Sequence, residues 1–310
     1  MWYWFQSGMK TRFGLLGVAL CGVLSCSAGQ SDSGSRAGRG SGTGSGNNPS
    51  GTAGSVSGGS SQTINTSSGE EPDAGDCGSV LDVTYRDFSE AHPDFEMPFA
   101  GDVVRRGLVA SVLGADHKPV FADRIGHPPL KGDPLAIDPD WQPPQPVIQS
   151  AASFNQWYNT TADLNQEFHK QLTLTESASG TGIYGFESSA FFPLAPTEGF
   201  GVTPKGNDQG MNFLFTTEIH VVFTYRPLQK FTFRGDDDLW IFINGKLALD
   251  LGSMHNAEEG TIDFDAQAAA LGISPGTSYA MDVFHAERHT RASNFKITTN
   301  IACFTPGVVK

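Results

Sequence analysis

The sequence predicts an all-β domain, and three observations carry that expectation. The 310 residues include 37 Gly and 18 Pro, and only 17% are charged, a composition that favours turns and short strands over amphipathic helices. From Met211 onward the apolar residues Phe213, Phe215, Ile219, Val221, Phe223 and Tyr225 fall on odd positions while Asn212, Glu218, His220 and Thr224 interrupt the even ones. That is the period of two of half-buried strands. Further on, the run Leu239-Trp240-Ile241-Phe242-Ile243 meets Asn244-Gly245 before Lys246-Leu247-Ala248-Leu249. Asn-Gly between such runs signals a hairpin, because both central residues of a type I′ turn need positive φ.

The amino-terminal segment stands outside that domain. A basic stretch, Met9-Lys10-Thr11-Arg12, precedes an apolar run over 13–24, the pattern of an export signal. The run falls short of the ~20 apolar residues a membrane-spanning helix needs. It ends in Val23-Leu24-Ser25-Cys26, which resembles a bacterial lipobox, so Cys26 is the expected lipid-bearing mature terminus. Ser27 is unlike an inner-membrane retention signal, which points to the outer membrane or cell surface. Met1 to Gly8, with two Trp and a Phe, is an unusual opening for such a signal and makes Met9 the alternative start. Residues 27–76 are dominated by Gly, Ser, Thr and Asn and cannot bury enough surface to offset their ordering entropy, so they read as a disordered linker. A Gly/Ser coil of ~50 residues spans roughly 35–42 Å.

The organisation expected is therefore a signal peptide over 1–26, a linker over 27–76, one globular domain over 77–305 and a tail over 306–310. Within the domain, 211–225 reads as two strands with a turn near Thr217. Further strands are expected at 230–233, 239–243, 246–249, 261–264, 279–284 and 293–301. Only 154–164 and 266–271 look helical, and the Pro- and Asp-rich stretch 132–146 reads as a surface loop. With 22 Phe the core is aromatic. Trp240 belongs to it by its apolar neighbours, whereas Trp157-Tyr158 are either core or a platform for sugar rings. Cys77 and Cys303 bracket the domain and are expected to pair in an oxidising compartment. A disulfide closing so long a loop contributes on the order of 4–5 kcal/mol in the loop-entropy account.

A formal charge of −13 repels a phosphate backbone and argues against nucleic acid, whereas clustered carboxylates suit a hard cation such as calcium. Arg234-Gly235-Asp236-Asp237-Asp238 places three carboxylates before a buried strand, where repulsion asks for a cation or for hydrogen-bond donors. The His285-Ala286-Glu287-Arg288-His289 stretch does not fit zinc. The Glu is not beside the first His, and on a strand the two His lie about 13 Å apart. Instead, His285, Glu287 and Arg288 read as a hydrogen-bonded cluster near the Asp loop. Nucleophile-elbow, phosphate-loop and dinucleotide fingerprints are absent from the sequence, so no catalytic residue is assigned.

The block Gly235-Asp236-Asp237-Asp238-Leu239-Trp240-Ile241-Phe242-Ile243-Asn244-Gly245-Lys246-Leu247 resembles the core motif of fibro-slime domains, a branch similar to the PA14 superfamily. Tyr85-Arg86-Asp87-Phe88, His92-Pro93-Asp94-Phe95, Phe191-Phe192-Pro193-Leu194, Asp250-Leu251-Gly252 with His255, and Phe284 through Thr290 resemble that family's other blocks, in order. The resemblance implies a PA14-like twisted β-sandwich or barrel with a few short helices. It also implies an Asp236–Asp237 pair, joined by a cis peptide, that holds Ca2+ and through it sugar hydroxyls. Asp238 stands where Gly is usual and either adds a ligand or marks a structural use of the loop. Asn244, His255, His285, Glu287 and Arg288 are the accompanying binding-loop candidates. The function implied is a non-enzymatic cell-surface module for adhesion or matrix assembly that binds carbohydrate or another cell-surface polymer. The alternatives are a structural component of slime and a polysaccharide hydrolase.

Overall fold

The structure, a computed structural model, describes residues 78–97, 103–129, 137, 145–202, 210–289 and 292–307. The chain divides into two units, Met1–Asn65 and Thr66–Lys310, and every described residue lies in the second. The signal, Cys26 and the linker are outside the described residues, as is nearly all of the loop expected over 132–146.

The described strands form two antiparallel sheets. In chain order they are β1 (Val80–Phe88), β2 (Asn165–Thr173), β3 (Thr175–Glu176), β4 (Tyr184–Ser188), β5 (Phe215–Thr224), β6 (Lys230–Gly235), β7 (Asp238–Ile243), β8 (Lys246–Leu251), β9 (Glu258–Asp263), β10 (Ser278–Glu287), β11 (Phe295–Thr299) and β12 (Thr305–Pro306). The larger sheet runs β2-β1-β5-β10-β7-β8 with β12 beside β5, and the smaller runs β3-β4-β11-β6-β9. Two short helices, α1 (Ala151–Phe154) and α2 (Phe264–Leu271), complete the set.

Two cores explain the sequence pattern. Between the sheets, Val83, Tyr85, Ile219, Val221, Ile241 and Val283 of the larger sheet pack with Phe231, Phe233, Ile262, Phe295 and Ile297 of the smaller. A second core lies on the other face of the larger sheet, where Trp240, Phe242 and Phe284 meet Phe88, Phe95, Leu108, Trp157 and Tyr158. Strand β7 is thus buried on both faces along its whole length, which is why it reads as a continuous apolar run rather than an alternation. Trp157 and Tyr158 are both buried and belong to this second core. The sugar-platform alternative for them is corrected accordingly.

The Asn244-Gly245 hairpin forms as expected, with φ of 54° and 72°. Two expectations change. The stretch over 211–225 holds one strand, β5, without a turn at Thr217, because Thr217 pairs with both Tyr85 and His285 across the sheet. Its hydroxyl also meets His285 Nδ1 at 3.2 Å. The helix expected over 154–164 is instead the single turn α1, opened by a Ser150 capping box. Beyond it, Asn165 Nδ2 donates to the carbonyls of Gln156 and Asn159 at 2.8 and 2.9 Å, a side-chain alternative to helical hydrogen bonding. Near the chain's end Gly78 and Phe304 form a backbone bridge, with Gly78 N donating to Phe304 O at 3.1 Å. Cys77 itself lies outside the described residues.

Candidate functional site

The Asp236–Asp238 turn sits where the chain crosses from one sheet to the other. β6 ends in the smaller sheet at Gly235 and β7 begins in the larger at Asp238. The crossing from β10 to β11 lies beside it, since Ala286 pairs with Asp238 and Phe295 with Gly235. This close approach needs Gly235: a Cβ there would stand 2.5 Å from Asn294 O and 2.7 Å from the Phe233 ring.

The three carboxylates are all buried but differently engaged. Asp236 Oδ1 accepts from Asn294 N at 2.5 Å and its Oδ2 from Asn294 Nδ2 at 2.6 Å. Asp237 Oδ2 accepts from Arg288 N at 2.9 Å, and no described residue donates to its Oδ1. Asp238 is engaged at both oxygens: Oδ1 accepts from Ser253 N at 2.6 Å and Oδ2 from Arg288 Nε at 2.5 Å. The Asp236–Asp237 peptide is cis.

Arg288 organises the surroundings. Its guanidinium also donates to the carbonyls of Asp94 and Val147 at 2.9 and 2.8 Å and lies 4.7 Å from the Trp157 ring centroid. Trp157 in turn donates through Nε1 to Asp94 Oδ2 at 2.9 Å. Burial opposes the Arg288 charge, but Asp238 and Asp237 outweigh it and hold the group protonated.

Burial, reinforced by Asp238 and Asp236, pushes the Asp237 carboxyl well above its usual range despite Arg288. Burial likewise pushes Glu287 up, aided by Asp237 and Asp236, and its Oε2 is buried without a partner. His285 is pushed down to about 4 by burial. It is held neutral, with Nε2 toward Asp236 O at 2.9 Å and Nδ1 toward the Thr217 hydroxyl. Charge on Asp237 and Glu287 is therefore disfavoured here unless a cation joins them.

The structure thus brings Asp236, Asp237, Asp238, His285, Glu287 and Arg288 together. His255 is buried nearby, its ring nitrogens facing Leu251 O and Asn256 O at 3.1 and 2.8 Å. Asn244 is not part of the cluster. It lies at the other end of β7, and its Nδ2 donates to Leu271 O at 3.2 Å, where it holds the end of α2. Three contributors escape the sequence reading of the site: Asn294, Ser253 and Asp94. Ser253 contributes only a backbone N–H, which no side-chain pattern signals, and nothing local to Asn294 ties it to a turn 58 residues away.

Among the described residues, no group of three or more His, Cys, Asp or Glu is arranged to hold a metal ion. A cation here would draw on two Asp carboxylates, with the balance from carbonyls and water. On those two carboxylates, the Oδ1 of Asp237 and the second lone pairs of the Asp236 oxygens are the positions still able to accept.

No family model matches the sequence. The chain is 34% identical to protein psiQ of Dictyostelium discoideum over 237 residues, 73% of this chain and 21% of that protein. It is 35% identical to protein psiC of the same organism over 226 residues, 71% of this chain and 40% of that protein. The chain therefore spans from about a fifth to two-fifths of the length of the relatives it matches. Among solved structures, the PA14 domain of MpAFP antifreeze protein is similar at a TM-score of 0.24 and 12% identity, over 34% of this chain and 58% of that one. The PA14 sugar-binding domain from an RTX adhesin is similar at a TM-score of 0.23 and 10% identity, over 33% of this chain and 60% of that one.

Proposed function

We propose that this protein is a non-enzymatic cell-surface module that binds carbohydrate, with calcium held at Asp236 and Asp237. The observation that carries the reading is the adjacent, buried pair of carboxylates Asp236 and Asp237 at the sheet crossing, with one Asp237 oxygen left without a donor among the described residues. The resemblance of residues 235–247 to fibro-slime and PA14-like domains supports it. When bound, the ion supplies oxygen-coordination positions to ligand hydroxyls. The chain's own part is to fix the two carboxylates, through Asn294 on Asp236 and the Arg288 backbone on Asp237. Asp238, where the family pattern has Gly, serves the fold in this reading and not the ion, because it is fully buried and already ion-paired with Arg288.

In the same proposal Cys26 carries a lipid that holds the domain at the outer membrane or cell surface through the 27–76 linker. Cys77 pairs with Cys303, which is disulfide-bonded. A second reading is favoured by one observation: Asn294 and Arg288 already hold the Asp carboxylates, so the loop serves only to join the sheets in a structural component of a cell-surface assembly.

Thermal unfolding with Ca2+ and with chelator, on the wild type and on Asp236→Asn/Asp237→Asn, separates the two, followed by retention on immobilised polysaccharides. A calcium-dependent rise in Tm that the double variant lacks, together with glycan retention lost on chelation, supports the first reading. Absence of any calcium effect sinks the metal site and leaves the structural reading. Release of soluble sugar would instead mark a hydrolase.

A further inference from the structure

We infer that His220 is a proton-dependent clasp that fastens β5 to β10 on the open, polar part of the larger sheet's outer face, away from the Asp236–Asp238 turn. Its ring lies between two carboxylates: Nδ1 is 2.7 Å from Asp282 Oδ1 and Nε2 is 2.5 Å from Glu218 Oε1. A neutral imidazole has one N–H, so only the imidazolium donates to both. Both carboxylates are buried, and the Phe284 ring closes the third side at 5.6 Å, edge to face.

The charged groups around the ring come from five segments. Asp282 is on β10, and its Oδ2 is buried without a partner. Glu218, on β5 with His220, also accepts from Lys118 Nζ and, at 2.5 Å, from Arg86 NH1 of β1. Arg86 NH2 reaches Glu167 of β2 at 2.9 Å, and Glu167 meets His169, also of β2, at 3.0 Å. Asp82 on β1 is held by Gln171 at 3.0 Å. Within the hydrogen-bonded group, Glu218, Asp282 and Glu167 carry three negative charges against Arg86 and Lys118. The His220 proton supplies the third positive charge and balances the set.

Burial works against that proton, but the bonds to Asp282 and Glu218 prevail and raise the His220 pKa above 6.5. The His220 bond, with the charges of Lys118 and Arg86, in turn brings Glu218 down to about 2 despite its burial. The clasp is therefore fully closed below pH 6.5 and is lost as pH rises through the higher folded-state value. On deprotonation Asp282, which has no other donor among the described residues, keeps the remaining N–H. The Nε2 lone pair then faces Glu218 Oε1, and the two must separate.

That separation falls at a structural seam. β1 pairs with β5 up to Ile219, β12 takes over the same strand at Val221, and Gly307 N donates to His220 O at 3.0 Å between them. A cleft of about 580 Å³ opens at this seam, lined by Asp82, Thr84, His169, Gln171, Glu218 and His220 among others. Alkalinisation is thus read out as loosening of the β5–β12 seam and of the segment that Lys118 ties down.

The test is histidine-selective NMR of the full chain from pH 5 to 9, combined with amide hydrogen exchange. A His220 midpoint above 6.5, both ring nitrogens protonated below that midpoint, and faster exchange at Gly307 above it would support the clasp. A midpoint at or below 6.5, or Gly307 exchange that does not change across it, would overturn it. Asp282→Asn provides a check that leaves the ring in place: the midpoint must fall, and an unchanged midpoint refutes the arrangement.

Discussion

Replacing Arg288 with Met tests whether the buried ion pair behind the Asp turn holds the second core on the larger sheet. The guanidinium and the Asp238 carboxylate are both fully buried, 2.5 Å apart. Removing one partner of such a pair costs about 3–5 kcal/mol, because the other charge is left uncompensated. The Asp94 and Val147 carbonyls lose their Arg288 donors as well, at about 1–3 kcal/mol for each buried group left unsatisfied. These contributions are not additive, but even the ion-pair part alone is a large fraction of a total stability of about 5–15 kcal/mol. Met roughly replaces the aliphatic stem, while the guanidinium over the Trp157 ring is lost with the charge, so charge loss dominates. Urea unfolding should show a drop of at least about 3 kcal/mol in Arg288→Met. The double variant Arg288→Met/Asp238→Asn should recover part of it, since Asn can still accept from Ser253 N through its side-chain carbonyl. A loss below about 1 kcal/mol, or a double variant worse than the single one, would refute the reasoning.

His285 should make the domain acid-labile: its pKa is lowered from 6.5 to about 4, so its contribution is full above pH 6.5 and is lost as pH falls through about 4. The gap corresponds to on the order of 3 kcal/mol, and His285→Gln should flatten the acid limb of a Tm–pH profile while leaving the alkaline limb set by His220. Gly235→Ala should destabilise by about 1–3 kcal/mol through overpacking, because the added methyl meets Asn294 O; differential scanning calorimetry would register it, and a neutral result would mean the two crossings can move apart. Reduction should lower Tm if Cys77 and Cys303 are paired, and Cys77→Ser should reproduce the loss without reductant; equal Tm values in all three states would remove that pairing.

How much was legible depended on where a residue's partner lies in the chain. The β7–β8 hairpin could be read because its determinants are adjacent: two apolar runs and an Asn-Gly whose positive φ values the turn requires. The edge strand β2, Asn-Gln-Glu-Phe-His-Lys-Gln-Leu-Thr, could not. It has one sheet neighbour within its own sheet and is exposed along much of its length, so it lacks the apolar period that marks a strand, and its polar side chains suit an unpaired edge. The same distinction separates the parts of the candidate site. The Asp236–Asp238 run announced itself by charge crowding, and the stretch from His285 to Arg288 by its residue types. The donors that decide which oxygens are taken are an Asn side chain, the Arg288 guanidinium and the backbone N–H groups of Ser253, Arg288 and Asn294, brought in by two sheet crossings. Asp238 shows the consequence: by residue type it matches its two neighbours, and its place where Gly is usual left both a ligand and a structural role open, but its side chain lies against Arg288, whereas Asp237 retains an open oxygen. A run of identical side chains at a sheet crossing therefore divides by facing, and only the geometry assigns one to packing and leaves another available to a ligand.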